Sequence, residues 1–144
     1  MANAKTATVI WKNTDLDFAG TLGSGYKFDL SGQAGPETGA SPMELLVAGL
    51  AGCTAMDVIS ILQKKRQNVT SFEVHVHGER VDTHPMVYTN VTVEYIVRGH
   101  DVDETAVQRA IELSETKYCP VMATFRMANI PVSLTYKIEN AAPA

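Results

Sequence analysis

Cys53 and Cys119, the two cysteines of this 144-residue chain, are its first candidates for chemistry, and their settings differ. Cys53 sits in Gly49-Leu50-Ala51-Gly52-Cys53-Thr54-Ala55, where small neighbours let other backbone or a substrate come close. Two glycines inside a helix each cost about 1 kcal/mol relative to alanine, so a packing or access reason should exist for both. The plain alternative is a compact apolar residue filling the core. Cys119 precedes Pro120, and Cys-Pro reads as the N-cap and first position of a helix. The unsatisfied N–H groups and positive dipole end there stabilise thiolate, so the pKa of Cys119 is expected to fall. Lys117 and Arg126 lie near enough in sequence to add to that field. The alternative is a cap that only ends a turn.

Asp57 follows Cys53 by one helical turn, which puts both on one face, and a bare carboxylate there opposes thiolate formation. A cation should compensate. Arg80 is the candidate, because period-2 counting places it with Val74, Val76 and Gly78 on the apolar side of a strand, where arginine wants a carboxylate. His75 and His77 share a strand face and could grip a metal if a third ligand joined them. Glu73 and Glu79 share that side, so a solvated face is the simpler expectation. The cysteines are too far apart in sequence for a CxxC redox pair or a CxxC-based zinc site. No phosphate-cradling glycine loop, Ser-centred nucleophile elbow or dinucleotide fingerprint is present.

The elements that must position these groups belong to one domain over residues 1–140, with a short Ala/Pro tail at 141–144. The chain is 45% hydrophobic and 19% charged, enough apolar material for a core. A net charge of −4 lacks the basic field that phosphate backbones require, so no nucleic-acid partner is expected. Leu45 to Met56 is the longest uncharged apolar-leaning stretch of the main helical segment, short of the roughly 20 residues of a membrane span, so none is expected. The start Met-Ala-Asn-Ala-Lys has no secretory pattern, which points to the cytoplasm and to reduced thiols.

Thr6–Trp11 and Tyr26–Leu30 are β-rich and suggest a hairpin, followed by a glycine-punctuated loop at Ser31–Ala40. Ser41, Pro42 and Glu44 spell a capping box. The helix that follows is apolar almost all round from Met43 to Leu62. Pro42–Lys65 would be roughly 36 Å long, more than one small domain encloses on every side, so a second subunit is the expected cover. Ser71–Val81 and Val87–Arg98 alternate and should form an antiparallel hairpin, with a polar turn at Asp82–Pro85. A helix over Asp103–Thr116, a shorter one from Cys119 to Met127 and a last strand at Pro131–Ile138 complete the chain.

Ser41-Pro42-Met43-Glu44-Leu45-Leu46-Val47-Ala48-Gly49-Leu50-Ala51-Gly52-Cys53 and Ser114-Glu115-Thr116-Lys117-Tyr118-Cys119-Pro120-Val121 resemble the two cysteine segments of the OsmC/Ohr family. Gly78-Glu79-Arg80 followed by His84-Pro85 is most similar to its YhfA-like branch. The resemblance implies an α+β fold: an intertwined homodimer with long central buried helices packed on antiparallel β-sheets. It also implies a thiol peroxidase for organic hydroperoxides in oxidative stress defence, without metal or flavin. Cys53 would be the peroxidatic cysteine and Cys119 the resolving one. A disulfide would close each cycle, to be reopened by a dithiol such as a lipoylated protein.

Peroxidases of the family use an N-terminal arginine and a first-turn glutamate to ionise the reactive thiol. This chain has no arginine before Arg66, and Met43 stands where the glutamate is expected. Glu44, about 100° further around the helix, and Arg80 are the candidate stand-ins. Two alternatives stand beside the peroxidase reading, the first motivated by the missing arginine and the second requiring only Cys53 and a partner donor. One is a catalytically weak or inactive module that binds a small hydrophobic ligand in a dimer-interface cleft; the other is a different thiol chemistry, such as acyl or sulfur transfer.

Overall fold

A computed structural model describes residues 3–141, so the tail assigned to 141–144 lies, from residue 142 on, outside the described residues. The chain forms two compact units that meet between Leu46 and Val47, inside its longest helix.

In the first unit, β1 (Ala7–Trp11), β2 (Asp17–Leu22) and β3 (Lys27–Ser31) form an antiparallel sheet in the order β1-β2-β3. The expected direct hairpin between Thr6–Trp11 and Tyr26–Leu30 is therefore corrected, because β2 lies between its two strands. The reason is local packing. Gly20 pairs with Phe28, and a Cβ on Gly20 would stand 2.5 Å from the Phe28 ring, so the glycine that weakens the strand signal is what lets the ring lie across it. After β3, Leu30 bridges to Ala40 and Gly35 to Gly39, which folds the glycine-rich loop back on itself. Ser31 Oγ donates to Asp17 Oδ1 (2.6 Å) and accepts from Gln33 N (3.1 Å), closing the base of that loop.

Helix α1 (Pro42–Lys64) begins with the capping box read from the sequence. Ser41 N donates to Glu44 Oε1 at 2.8 Å, and Glu44 N donates to Ser41 Oγ at 3.3 Å. By length and composition alone α1 is apolar enough to cross a membrane, although its uncharged stretch, Leu45–Met56, is as short as the sequence shows. It is a core helix: Leu50, Thr54, Val58 and Leu62 form a fully buried stripe at i, i+4 spacing. Away from the stripe the single chain leaves apolar residues open, with Met56 73% exposed.

In the second unit, β4 (Asn68–Arg80) and β5 (Tyr88–His100) form the expected antiparallel hairpin. The last strand, β6 (Val132–Asn140), pairs with β5 in parallel, so this sheet, in the order β4-β5-β6, is mixed and not antiparallel throughout. A parallel neighbour needs a crossover, and the intervening helices supply it. Val91, Val93, Tyr95 and Val97 alternate along β5 and are all fully buried. Helix α2 (Glu104–Leu113) starts where Asp103 Oδ1 accepts from Thr105 N (3.0 Å). It ends short of the expected Thr116 because the chain widens into a π-type turn at Ser114–Tyr118. Helix α3 (Pro120–Met127) follows, with Cys119 at its N-cap. Val107, Ala110, Ile111, Met122 and Phe125 complete this core, and the overall class is α+β, as expected.

Candidate functional site

Folding brings the two cysteines together. Cys53 Sγ, Cys119 Sγ and a carboxylate oxygen of Asp57 all lie within 4.8 Å of one another. Cys53 and Asp57 share a face of α1 through their i, i+4 spacing, as the sequence implies. Cys119 is carried in by the π-type turn, whose closing bond runs from Cys119 N to Ser114 O (2.9 Å). Its sulfur then accepts from Met122 N at 3.3 Å, so the thiol is itself the helix cap. Cys53 is half-buried, whereas Cys119 is only 3% exposed.

A row of hydroxyls runs behind the carboxylate. Ser114 Oγ donates to Asp57 Oδ2 (3.0 Å), Thr54 Oγ1 stands 2.8 Å from Ser114 Oγ, and Tyr95 OH stands 2.7 Å from Thr54 Oγ1. Each hydroxyl has one proton. Since that of Ser114 goes to Asp57, Thr54 must donate to Ser114, and Tyr95 must donate to Thr54. Tyr95, Thr54 and Ser114 are fully buried, and the row leaves none of them unpaired. None of the three was a candidate from sequence. Their signal was present all the same: Tyr95 and Ser114 occupy apolar slots in a strand and a helix period, and Thr54 adjoins Cys53.

Electrostatics distinguish the sulfurs. The expected fall in the pKa of Cys119 is corrected: removal from water pushes this thiol up to about 12. The Met122 N–H pulls the other way, but Cys53 and Asp57 add to the rise. Burial likewise pushes the Tyr95 phenol up to about 12, against its bond with Thr54. Lys117 and Arg126, read as possible contributors of positive field at Cys119, have other partners. Lys117 Nζ lies over the Tyr118 ring (5.2 Å), and Arg126 bonds Glu115 Oε2 (2.7 Å) and Val132 O (3.1 Å).

The remaining sequence candidates have partners of their own. Arg80 follows a register shift at the end of β4, where its Nε donates to Met86 O (2.8 Å). The partner of Asp57 is thus the Ser114 hydroxyl rather than a bond from Arg80. The Glu44 carboxylate serves the capping box, and its pKa is lowered chiefly by the Ser41 backbone N–H. His75 pairs with Glu73 (2.8 Å) and His77 with Glu79 (2.6 Å) on an exposed face of β4. Among the described residues, Cys53, Asp57 and Cys119 are the one group of three such side chains close enough to share a metal ion. A cleft of about 330 Å³ reaches Asp57 between Met56, Ile61, Leu113 and Tyr118.

Two cysteines, one from a long apolar core helix and one at a Cys-Pro helix start, joined on an α+β scaffold, define a class. The chain belongs to the OsmC family: the family of OsmC-like proteins matches it over residues 35–135. It is 39% identical over 127 residues to Protein YhfA of Escherichia coli strain K12, covering 88% of this chain and 92% of that one. The crystal structure of a hypothetical protein from Aquifex aeolicus is 26% identical, with a TM-score of 0.85 over 97% of this chain and 99% of that one. An organic hydroperoxide resistance protein OsmC from Legionella pneumophila shares the fold at 14% identity, with a TM-score of 0.69 over 95% and 98% of the two chains.

Proposed function

We propose that this protein is a thiol-dependent peroxidase that reduces organic hydroperoxides in oxidative stress defence. The observation that carries the proposal is the convergence of Cys53 and Cys119 from distant parts of the chain to within 4.8 Å. The more open sulfur, Cys53, attacks as thiolate the distal oxygen of ROOH; the O–O bond breaks, alkoxide leaves and takes up a proton as ROH, and Cys53 becomes a sulfenic acid. Cys119, held as a neutral thiol by burial, then condenses with it, forming the S–S bond and releasing water. A dithiol, free or on a lipoylated protein, returns the two electrons and becomes a disulfide. The name of the Legionella protein supports the substrate class.

The chain would work as one OsmC-like domain in the cytoplasm, and as a homodimer. The dimer is supported by apolar surface that one chain leaves open, including Ile10 (64% exposed) and Met56 (73%). Glu44 and Arg80 enter this scheme only as stand-ins for the missing ionising pair. Purified protein should consume cumene hydroperoxide in the presence of a dithiol, and Cys53→Ser should stop it. Equal consumption by that variant would overturn the proposal.

A second reading is favoured by a different observation. An almost wholly apolar cleft of about 390 Å³ opens in the first unit, lined by Val9, Leu16, Phe18, Leu30, Ser31, Gly32 and Pro42. It suits a small hydrophobic ligand held without catalysis. This reading predicts ordinary alkylation kinetics for Cys53 and no peroxide-induced disulfide, the reverse of the peroxidase outcome.

A further inference from the structure

From the same cluster we propose that the reduced protein binds one soft divalent cation of the Zn²⁺ class through Cys53, Asp57 and Cys119, and releases it when the two sulfurs join. The donor set is two sulfurs and one carboxylate oxygen, all within 4.8 Å. Thiolates select borderline and soft ions, while Mg²⁺ and Ca²⁺ demand shells of oxygen. A tetrahedral ion with bonds of about 2.0–2.3 Å holds its donors about 3.3–3.8 Å apart, so side-chain rotation brings these three into range. Three protein donors leave a fourth position for water.

Two further features suit a cation. With both thiols ionised, three negative charges converge here, and Arg80 and Arg126, cations the sequence offers them, are bonded elsewhere. A divalent ion reverses that repulsion. The carboxylate is also pre-oriented: Ser114 fixes Asp57 Oδ2, backed by Thr54 and Tyr95, and the other oxygen is left for an ion. Ligating carboxylates are usually held in this way by an outer hydrogen bond.

Binding exchanges protons for metal: two thiols lose two H⁺ as the ion enters. Oxidation reverses it. The two thiolates give up two electrons and form the S–S bond; a hydroperoxide takes those electrons and two protons, becoming alcohol and water, and the ion departs because disulfide sulfur is a poor ligand. Binding itself does not depend on peroxidase activity, since any disulfide-forming oxidant should empty the site.

The test is titration of reduced, metal-free protein with Cd²⁺, followed by the ultraviolet thiolate-to-cadmium charge-transfer absorption, and with Zn²⁺ against a chromogenic chelator. One equivalent per chain should bind. Asp57→Asn and Ser114→Ala should each weaken binding at least about tenfold, whereas Asp57→Glu, which keeps the carboxylate, should retain it. Alkylating the more open Cys53 of the unmutated protein, or oxidising the protein, should abolish the signal. His75→Ala/His77→Ala should leave it unchanged. A reduced wild-type protein with no charge-transfer band, or binding that survives alkylation, would overturn the inference. A protein that binds Cd²⁺ but does not consume peroxide would sink the peroxidase proposal and leave this one standing.

Discussion

Thr54→Val is the sharpest probe of the buried hydroxyl row, because valine keeps the shape of threonine and removes only the group that links Tyr95 to Ser114. The proton order determines the cost. Ser114 keeps its bond to Asp57 and loses only an incoming donor, whereas the Tyr95 O–H loses the acceptor toward which it points. Lost hydrogen bonding costs about 1 kcal/mol and a stranded buried hydroxyl about 1–3 kcal/mol, giving about 2–4 kcal/mol in all. Tyr95→Phe alone should cost about 1 kcal/mol, since Thr54 still donates to Ser114. Adding Tyr95→Phe to Thr54→Val removes the stranded group, so the double variant should be about 1–3 kcal/mol more stable than Thr54→Val. Urea unfolding of all four proteins at one concentration measures the cycle. A Thr54→Val cost below about 0.5 kcal/mol, or a double variant that simply sums the two losses, would refute the directed row.

Alkaline pH should unfold the protein early. Folded Cys119 is raised from 9.0 to about 12 and folded Tyr95 from 10.0 to about 12, so between these values the native state holds protons that the unfolded chain has given up. Stability is then full below about pH 9 and falls as pH rises towards 12, at about 1.4 kcal/mol per unit of displaced pKa. Cys119→Ser should flatten that decline in urea midpoints measured from pH 8 to pH 11. Ser41→Ala should cost about 1 kcal/mol by removing the side-chain half of the capping box, with no change in far-ultraviolet spectrum. Gly99→Ala should be strongly destabilising, by about 1–3 kcal/mol or more in the same assay, because its Cβ would strike the Asn68 carbonyl across the β4–β5 ladder.

Features written in local chemistry were readable in advance. The Ser41–Glu44 box, the alternation from Val91 to Val97 and the Cys119-Pro120 helix start each depend on a few adjacent residues, and each has its expected form. What escaped depends on distant partners. β2 is a weak strand by composition, and its glycine makes sense only under the Phe28 ring. The parallel pairing of β6 follows from where α2 and α3 deliver the chain, which strand patterning does not encode. At the site, helical spacing put Asp57 beside Cys53, but the expected pairing with an arginine gave way to a serine. The thiol of Cys119 went the opposite way from its helix-end rule because loss of water outweighed one N–H contact.

The π-type turn at Ser114–Tyr118 has a consequence for how this region tolerates change. It accommodates one residue more than an α-helical path would need, so shortening it by one would yield a more regular helix and a worse molecule. Everything downstream would swing by about 100°, separating the residue that feeds the carboxylate from the one that presents the second sulfur. Length here is therefore under tighter constraint than residue identity. Natural relatives should vary the exposed side chains of Thr116 and Lys117 more freely than the spacing from Ser114 to Cys119.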